Sequence, residues 1–259
     1  MGSKGGLRLA SLWNDISLEI GTYTTHPLQV TIATPSNDPS MSSSRLAVEL
    51  RHAFEETGLQ ANVVAPNTGR ASLKGLVAPS RSMRSVDLTG TAARFRRLLV
   101  DPAVTGSSML IGVSHLGEIG NPGPTAIGLW TRFADPRLAI PVQGSRRRHP
   151  DAADIALAFS PSKIVLITQF KGYVFLISGF DMVAVELVGL AVTAASKSNP
   201  ELRLRPWEDP VVQRATEIGL GVERPDQISF QPEWAGQPDI NGMIALAALS
   251  STVRELLNL

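Results

Sequence analysis

Residues 28–66 read LQVTIATPSNDPSMSSSRLAVELRHAFEETGLQANVVAP, a stretch that combines two apolar runs, a polar loop and an amphipathic segment. Residues 28–33 are short, apolar and β-branched, which predicts a buried strand. Residues 42–58 repeat apolar positions at helical spacing, with serines available as N-caps and a glycine at the end, which predicts a helix. Residues 61–65 predict the next strand. The order is therefore strand, polar loop, helix, strand.

The polar loop between the first strand and the helix is a candidate ligand site. Hydroxyls, an amide and the free N–H groups of a helix start meet there at the carboxyl end of a strand, where α/β proteins commonly bind small ligands. We therefore expect ligand contacts from Thr34, Ser36, Asn37 and Ser40. The same residue types are common in turns and helix caps, so a purely structural role is the alternative.

Composition limits the classes of function. The chain has 259 residues, of which 43% are hydrophobic and 18% charged, so it can bury a sizeable core and lies outside the disordered class. Its formal net charge of +1 gives no overall field that would attract nucleic acid or an anionic membrane. The absence of cysteine excludes disulfides and a thiol nucleophile, and the histidines show no metal spacing. We expect no cofactor, no metal and no nucleic-acid partner.

The N-terminal region has no pattern of a membrane or signal segment. Residues 1–26 are expected to form a leader or a flexible segment, and the apolar positions in 7–20 are interrupted by Asn14, Asp15 and Glu19. No other stretch predicts a membrane span.

The middle of the chain predicts further alternating elements. Residues 85–90 predict a strand with a hydroxyl-rich tip, which should bring Thr89 near the first polar loop. Residues 92–100 predict a basic helix, whereas 108–113 and 125–130 predict extended structure.

The same order of strand, polar turn and helix occurs a second time, about 110 residues after the first occurrence. Residues 137–142 predict the strand and 151–159 the helix. Two α/β lobes that face each other would place both polar turns at one cleft, so the second turn is also a candidate site. Its residues are Gln143, Gly144, Ser145 and Arg146. The alternative is that Gly144 serves backbone geometry and that the arginines at 146–148 form a solvated turn.

The last third predicts two strands and three helices. The predicted strands are 163–167 and 173–178, with a short one at 202–204, and the predicted helices are 182–195, 209–217 and 241–257.

Several of these segments resemble those of a known family. They are the opening strand 27–34, the helix 45–58, Ala65-Pro66-Asn67-Thr68-Gly69 with Leu73 and Leu76, the strand 86–88, the strand and turn 137–145, Phe175-Leu176-Ile177-Ser178-Gly179 with Val185, the strand 202–204, and 238–240 with the helix after it. The pattern resembles the periplasmic solute receptors of TRAP transporters of the TAXI type, within the type II substrate-binding proteins.

The resemblance implies an α/β, two-lobed periplasmic-binding-protein-like (type II) fold with a hinge and an interlobe cleft. Lobe 1 would comprise 27–128 and 205–259, and lobe 2 would comprise 129–204. It also implies that the protein is not an enzyme, that it binds a small anionic or zwitterionic solute without catalysis, that it serves a membrane permease, and that it is periplasmic or exported. The second strand and its glycine loop add Asn67, Thr68, Gly69 and Arg70 to the candidate ligand-binding residues, and Arg70 or Arg146 would bind a carboxylate.

Two other classes of function stay open. One is a regulatory or protein-interaction module on the same fold, and the other is an enzyme. No Gly-x-Ser-x-Gly elbow, Walker loop, zinc-protease motif or dinucleotide-binding glycine motif occurs. Ser114 and His115 directly follow the predicted strand 108–113, and if the strand continues they point to opposite faces and cannot act as a nucleophile and base. The sequence does not predict the oligomeric state or the identity of the solute.

Overall fold

The structure is a computed structural model, and it describes residues 29–36, 38, 40–66, 76–77, 83–115, 125–135, 137–138, 148–170, 173–196, 205–234 and 239–259. The strands in these ranges are β1 (Gln29–Ala33), β2 (Gln60–Val64), β3 (Leu76–Val77), β4 (Arg84–Asp87), β5 (Arg97–Val100), β6 (Met109–His115), β7 (Lys163–Phe170) and β8 (Tyr173–Gly179). The α-helices are α1 (Ser42–Glu56), α2 (Asp151–Ala156), α3 (Met182–Ser196), α4 (Pro210–Glu217) and α5 (Ile240–Leu257). Short 3-10 helices lie at Pro102–Val104, Gly128–Phe133, Pro206–Glu208 and Pro225–Gln227.

The main sheet has six strands in the order β3-β2-β1-β6-β7-β8. The first five are mutually parallel, and β8 pairs antiparallel with β7 at the edge. β4 and β5 form a separate antiparallel pair. The fold is therefore α/β, as the alternation of apolar runs and amphipathic segments predicted.

Helices cover both faces of this sheet, and the alternation of side chains along each strand assigns residues to a face. Ile32 and Ile111 pack with Leu50 and Phe54 of α1 on one face. The residues next to them along β1 and β6 join a second core cluster on the other face, together with α2, α3, α4 and α5. Odd-numbered residues of β6 and even-numbered residues of β1 thus face α1.

The chain leaves β1 and β6 in opposite directions along the sheet. From β1 it crosses over through α1 to β2, on the α1 face. From β6 it passes through the 3-10 helix Gly128–Phe133 and α2 to β7, on the opposite face. The gap between the carboxyl ends of β1 and β6 is therefore the topological switch point, the usual ligand position in open α/β sheets.

The main sheet extends across the predicted lobe boundary. β6 belongs to the part assigned to lobe 1 and β7 to the part assigned to lobe 2, yet they hydrogen-bond to each other from Ile111 opposite Lys163 to His115 opposite Ile167. The hinge, the interlobe cleft and the division at residue 129 stay predictions. Residues 1–26, the strand predicted at 202–204 and most of the strand predicted at 137–142 lie outside the described residues.

Two predicted elements were wrong. The segment 92–100 is not a helix: Arg97–Val100 forms β5, in which Leu98 and Val100 are fully buried and the pairing partner is β4. The segment 125–130 is not a strand but leads into the 3-10 helix Gly128–Phe133, whose Leu129 and Trp130 are also fully buried. Gly112 of β6 permits this close packing, because a Cβ there would lie 3.0 Å from atoms of both side chains.

The remaining helices and the long strands agree with the sequence pattern. Helices were predicted at 42–58, 151–159, 182–195, 209–217 and 241–257, and each is present with shifted ends. Gly58 ends α1 with a φ of 83°, a conformation that glycine adopts without strain. Among the described residues, no helix has the length and apolar content needed to cross a membrane.

Candidate functional site

Thr34 lies at the carboxyl end of β1 and faces α1. Its backbone N–H donates to the carbonyl of Val64 at 3.0 Å, which continues the pairing with β2. The side chain is fully buried, and its Oγ1 has no hydrogen-bond partner among the described residues. Since buried hydroxyls are normally satisfied, this unsatisfied atom is a candidate ligand contact.

The N-terminus of α1 lies beside Thr34. The Ser44 Oγ donates to the carbonyl of Ser36 at 2.7 Å, which ties the first turn of the helix to the chain that leaves β1. Ser43 is fully buried, and within the described part of the chain its Oγ also has no partner. Two buried, unsatisfied hydroxyls therefore lie at this end of the sheet.

The first turn of α1 has no side-chain cap among the described residues. The N-cap residue is Met41, which makes no side-chain cap, and the first turn contains no acidic residue. The prediction that the serines would act as N-caps was wrong, because the helix starts at Ser42 and the serines lie inside it. The N–H groups of the first turn and the positive end of the helix dipole point toward the loop after β1.

His115 supplies a third polar group at the switch point. It ends β6 and continues the alternation Ile111, Val113, His115, so it lies on the α1 face as Thr34 does. Its Nδ1 is buried and has no partner among the described residues. Burial, and secondarily the positive charge of Arg132, lower the pKa of His115 from 6.5, so the ring is neutral at pH 7. A neutral ring can either donate to a ligand or accept from it, depending on its tautomer.

Arg132 brings a positive charge near this group. It lies in the 3-10 helix Gly128–Phe133, and its charge acts on His115. No hydrogen bond or ion pair connects its guanidinium to another residue in the described ranges. The helix N-terminus and the two hydroxyls are groups that commonly bind anions, and the charge of Arg132 acts on His115 at the end of the neighbouring strand.

The predicted contacts Ser36 and Ser40 are engaged in a local turn around Asp38. The Ser36 Oγ accepts from the Asp38 N–H at 3.0 Å, and the hydroxyl of Ser40 donates to the Asp38 carboxylate at 2.7 Å. Thr89 is in a similar position, because its hydroxyl and its N–H both donate to the carboxylate of Asp87 at the exposed end of β4. Of the described candidates, Thr34 is the one whose side-chain hydroxyl makes no hydrogen bond within the described residues.

The other predicted site residues lie outside the described residues. They are Asn37, Asn67, Thr68, Gly69 and Arg70 around the first two strands, and Gln143, Gly144, Ser145 and Arg146 in the second polar turn. Their roles stay predictions.

Arg148 follows the second turn, and it is not the solvated residue that was expected. Its guanidinium forms ion pairs with Glu186 and, at 2.7 Å, with Asp209, and both carboxylates are almost completely buried. Glu186 also accepts the Ile127 N–H at 2.9 Å. Burial alone would lower the pKa of Arg148, but the two carboxylates outweigh it and raise the pKa above its ordinary value. This cluster fixes the chain after the second turn.

The sequence pattern did not indicate Ser43, His115 and Arg132 as candidate ligand contacts. A signal for His115 was present: β1 and β6 each alternate apolar residues on one face, and both series end in a polar residue, Thr34 and His115. Ser43 gave no such signal, because whether its hydroxyl finds a partner depends on the packing around the helix.

Comparison with known proteins assigns no family. No protein-family model, no curated protein and no solved structure matches this chain. Among the described residues, no cluster of His, Cys, Asp or Glu side chains is arranged to hold a metal ion.

Proposed function

We propose that the protein binds a small anionic or zwitterionic molecule, through a phosphate or carboxylate group, at the switch point between β1 and β6. The observation that carries the proposal is the pair of fully buried hydroxyls, Thr34 Oγ1 and Ser43 Oγ, that no described residue satisfies. An unsatisfied buried hydroxyl costs about 1–3 kcal/mol, and a ligand oxygen placed between them would recover that cost.

The electrostatics favour a negative group over a positive one. The first turn of α1 contains no acidic residue, and the Asp38 carboxylate in the loop before it is already bound by the N–H and hydroxyl of Ser40. The positive charge of Arg132 acts on His115 at the end of β6. The neutral His115 would contact a second polar group of the ligand.

The type II two-lobed arrangement and delivery of the ligand to a membrane permease rest on the resemblance to the TAXI receptors. A second lobe would close over the site, but neither the lobe nor the permease is needed for binding there. The binding test also addresses the other classes of function. An enzyme would convert one of the compounds that stabilise it, and an interaction module would be stabilised by none of them.

The experiment measures ligand binding by calorimetry after a thermal-stability screen with inorganic phosphate, phosphate monoesters and small carboxylates. Ser43→Ala and Thr34→Val should each weaken binding of the best compound by about 1–3 kcal/mol. The control is Thr216→Val, since its hydroxyl donates to the Gln213 carbonyl on α4. Wild-type affinity in both site variants, or no stabilisation by any anion, would refute the proposal.

A further inference from the structure

His115 and Thr34 lie close enough for one anion to contact both. Ala33 pairs with Gly112 in the parallel β1–β6 ladder, and extending that register by one residue sets Thr34 beside Val113, two residues before His115 on the same face. Neighbouring strands lie about 4.8 Å apart and rise about 3.3 Å per residue, which puts the Cβ atoms of Thr34 and His115 about 8 Å apart. Two hydrogen bonds of about 2.8 Å and the width of one anion span this separation.

In the free protein the ring of His115 is uncharged at neutral pH and keeps an unused nitrogen. Its Nδ1 is buried and makes no hydrogen bond within the described residues. Burial, followed by the charge of Arg132, lowers the pKa of the ring from 6.5. Protonation would give the ring two N–H donors, whereas the neutral ring has one. An anion therefore gains more from the charged ring than from the neutral one.

The described charged groups around His115 offer it no counter-charge in the free protein. Asp38, in the loop before α1, already accepts from the N–H and hydroxyl of Ser40. Lys163 lies on the same face of the sheet but at the start of β7, whereas His115 pairs further along that strand. The charged side chains of α1 are exposed or paired within the helix, and they are Arg45, Glu49, Arg51, His52, Glu55 and Glu56. Within the described residues, Arg132 is the charge that acts on the ring.

We propose that His115 takes up a proton when the anion binds, so that binding at the switch point is coupled to pH. This inference rests on the proposed function, because it requires an anion at the same site. The polar group that His115 meets is then a negatively charged oxygen of the ligand.

The bound anion reverses the cause that keeps the ring uncharged. In the free protein a charged ring would be desolvated next to another positive charge, whereas in the complex the negative charge of the ligand compensates it. The pKa of His115 therefore rises on binding. By linkage, the anion binds more tightly as the pH falls through the interval between the pKa of the free protein and that of the complex.

The coupling also selects among ligands. An uncharged ligand of the same shape leaves the ring neutral, so its affinity gains nothing from a lower pH. The site should consequently favour an ionised group over an uncharged one, and by a larger factor at pH 6 than at pH 8.

Isothermal titration calorimetry with inorganic sulfate and with oxalate tests the coupling, because neither anion changes its own protonation between about pH 6 and pH 8. Titrations in buffers of different ionisation enthalpy give the number of protons that binding takes up. In the wild type we expect an uptake of about half a proton or more near pH 6.5 and an affinity at least about fivefold higher at pH 6 than at pH 8.

Two histidine variants assign the proton. His115→Gln should bind the anion more weakly, with proton uptake close to zero and an affinity that changes less than about twofold over the same range. The matched control is His52→Gln, which removes an exposed histidine of α1 and should keep the wild-type uptake.

The outcomes separate this inference from the proposed function. Anion binding without proton uptake in the wild type, or uptake that persists in His115→Gln, would overturn the role of His115 and leave anion binding intact. If neither sulfate nor oxalate binds, the inference fails, and the phosphate monoesters and carboxylates of the stability screen then decide the proposed function.

Discussion

At the scale of single residues, Arg148 and Thr34 show two opposite ways of burying a polar group. Arg148 is matched by the carboxylates of Glu186 and Asp209, so its charge is compensated inside the fold. The Thr34 hydroxyl is fully buried but has no partner among the described residues. The first arrangement stabilises structure, whereas the second carries a cost that a bound ligand would offset.

Removal of the Arg148 charge should destabilise the protein strongly. Arg148→Met leaves Glu186 and Asp209 buried without a counter-charge, which should lower the free energy of unfolding by about 3–5 kcal/mol. Arg205→Met is the control, since Arg205 pairs with Glu208 at 3.2 Å in solvent and should contribute about 1 kcal/mol or less. Urea unfolding measures both. Equal losses in the two variants would contradict the buried network.

His115 should make stability depend on pH. Burial, followed by the charge of Arg132, lowers its pKa in the folded protein below 6.5, so below that pH the unfolded chain takes up a proton first. Stability from this group is therefore present above pH 6.5 and is lost as pH falls toward the folded-state pKa.

Urea unfolding of the wild type and His115→Gln at about pH 7.5 and pH 5.5 isolates this contribution, because all other titrating groups are shared. The wild type should lose more stability between the two values than the variant. Identical losses would show that His115 is as readily protonated in the folded protein as in the unfolded chain.

At the scale of elements, α1 both covers the sheet and points its N-terminus at the switch point. Leu50 is 1% exposed and packs in the cluster that joins α1 to β1 and β6. Leu50→Ala should lower the free energy of unfolding by about 2–5 kcal/mol. Glu49→Ala changes the exposed residue beside it and should cost less than about 0.5 kcal/mol. Chemical denaturation checks the pair, and a loss below about 0.5 kcal/mol in Leu50→Ala would refute the packing.

Local periodicity explains which elements could be predicted from the sequence. β1, α1 and β2 have their own apolar repeats, so their type follows from nearby residues. β5 was mistaken for a helix because Leu98 and Val100 are organised by pairing with β4, and the 3-10 helix at Gly128–Phe133 depends on Gly112, which is distant in sequence. Tertiary contacts override local propensity at both places.

The candidate site, like the fold, could be predicted only in part from the sequence. Thr34 was expected because it follows a strand and precedes a polar loop, a rule that holds for α/β sheets in general. His115 and Ser43 were not expected, since a buried donor becomes a ligand candidate only when the fold leaves it without a partner. Whether a buried hydroxyl or ring nitrogen finds a hydrogen-bond partner depends on how the whole molecule packs, and the sequence pattern does not predict it.

At the scale of the whole molecule, the continuous sheet connects regions that the resemblance assigns to different lobes. Leu50 lies in predicted lobe 1 on the α1 face, and Trp130 lies in predicted lobe 2, fully buried on the opposite face. β6 and β7 hydrogen-bond between them. We therefore expect both regions to unfold as one cooperative unit.

Urea unfolding, followed by tryptophan fluorescence and far-ultraviolet circular dichroism together, tests this expectation. The two midpoints should coincide in the wild type, and Leu50→Ala should shift both by the same amount, because destabilising α1 destabilises the sheet that also supports Trp130. Trp130→Phe separates the signal of that residue from the other tryptophans. A Leu50→Ala shift that appears in circular dichroism but not in the Trp130 signal would instead show that two lobes unfold independently.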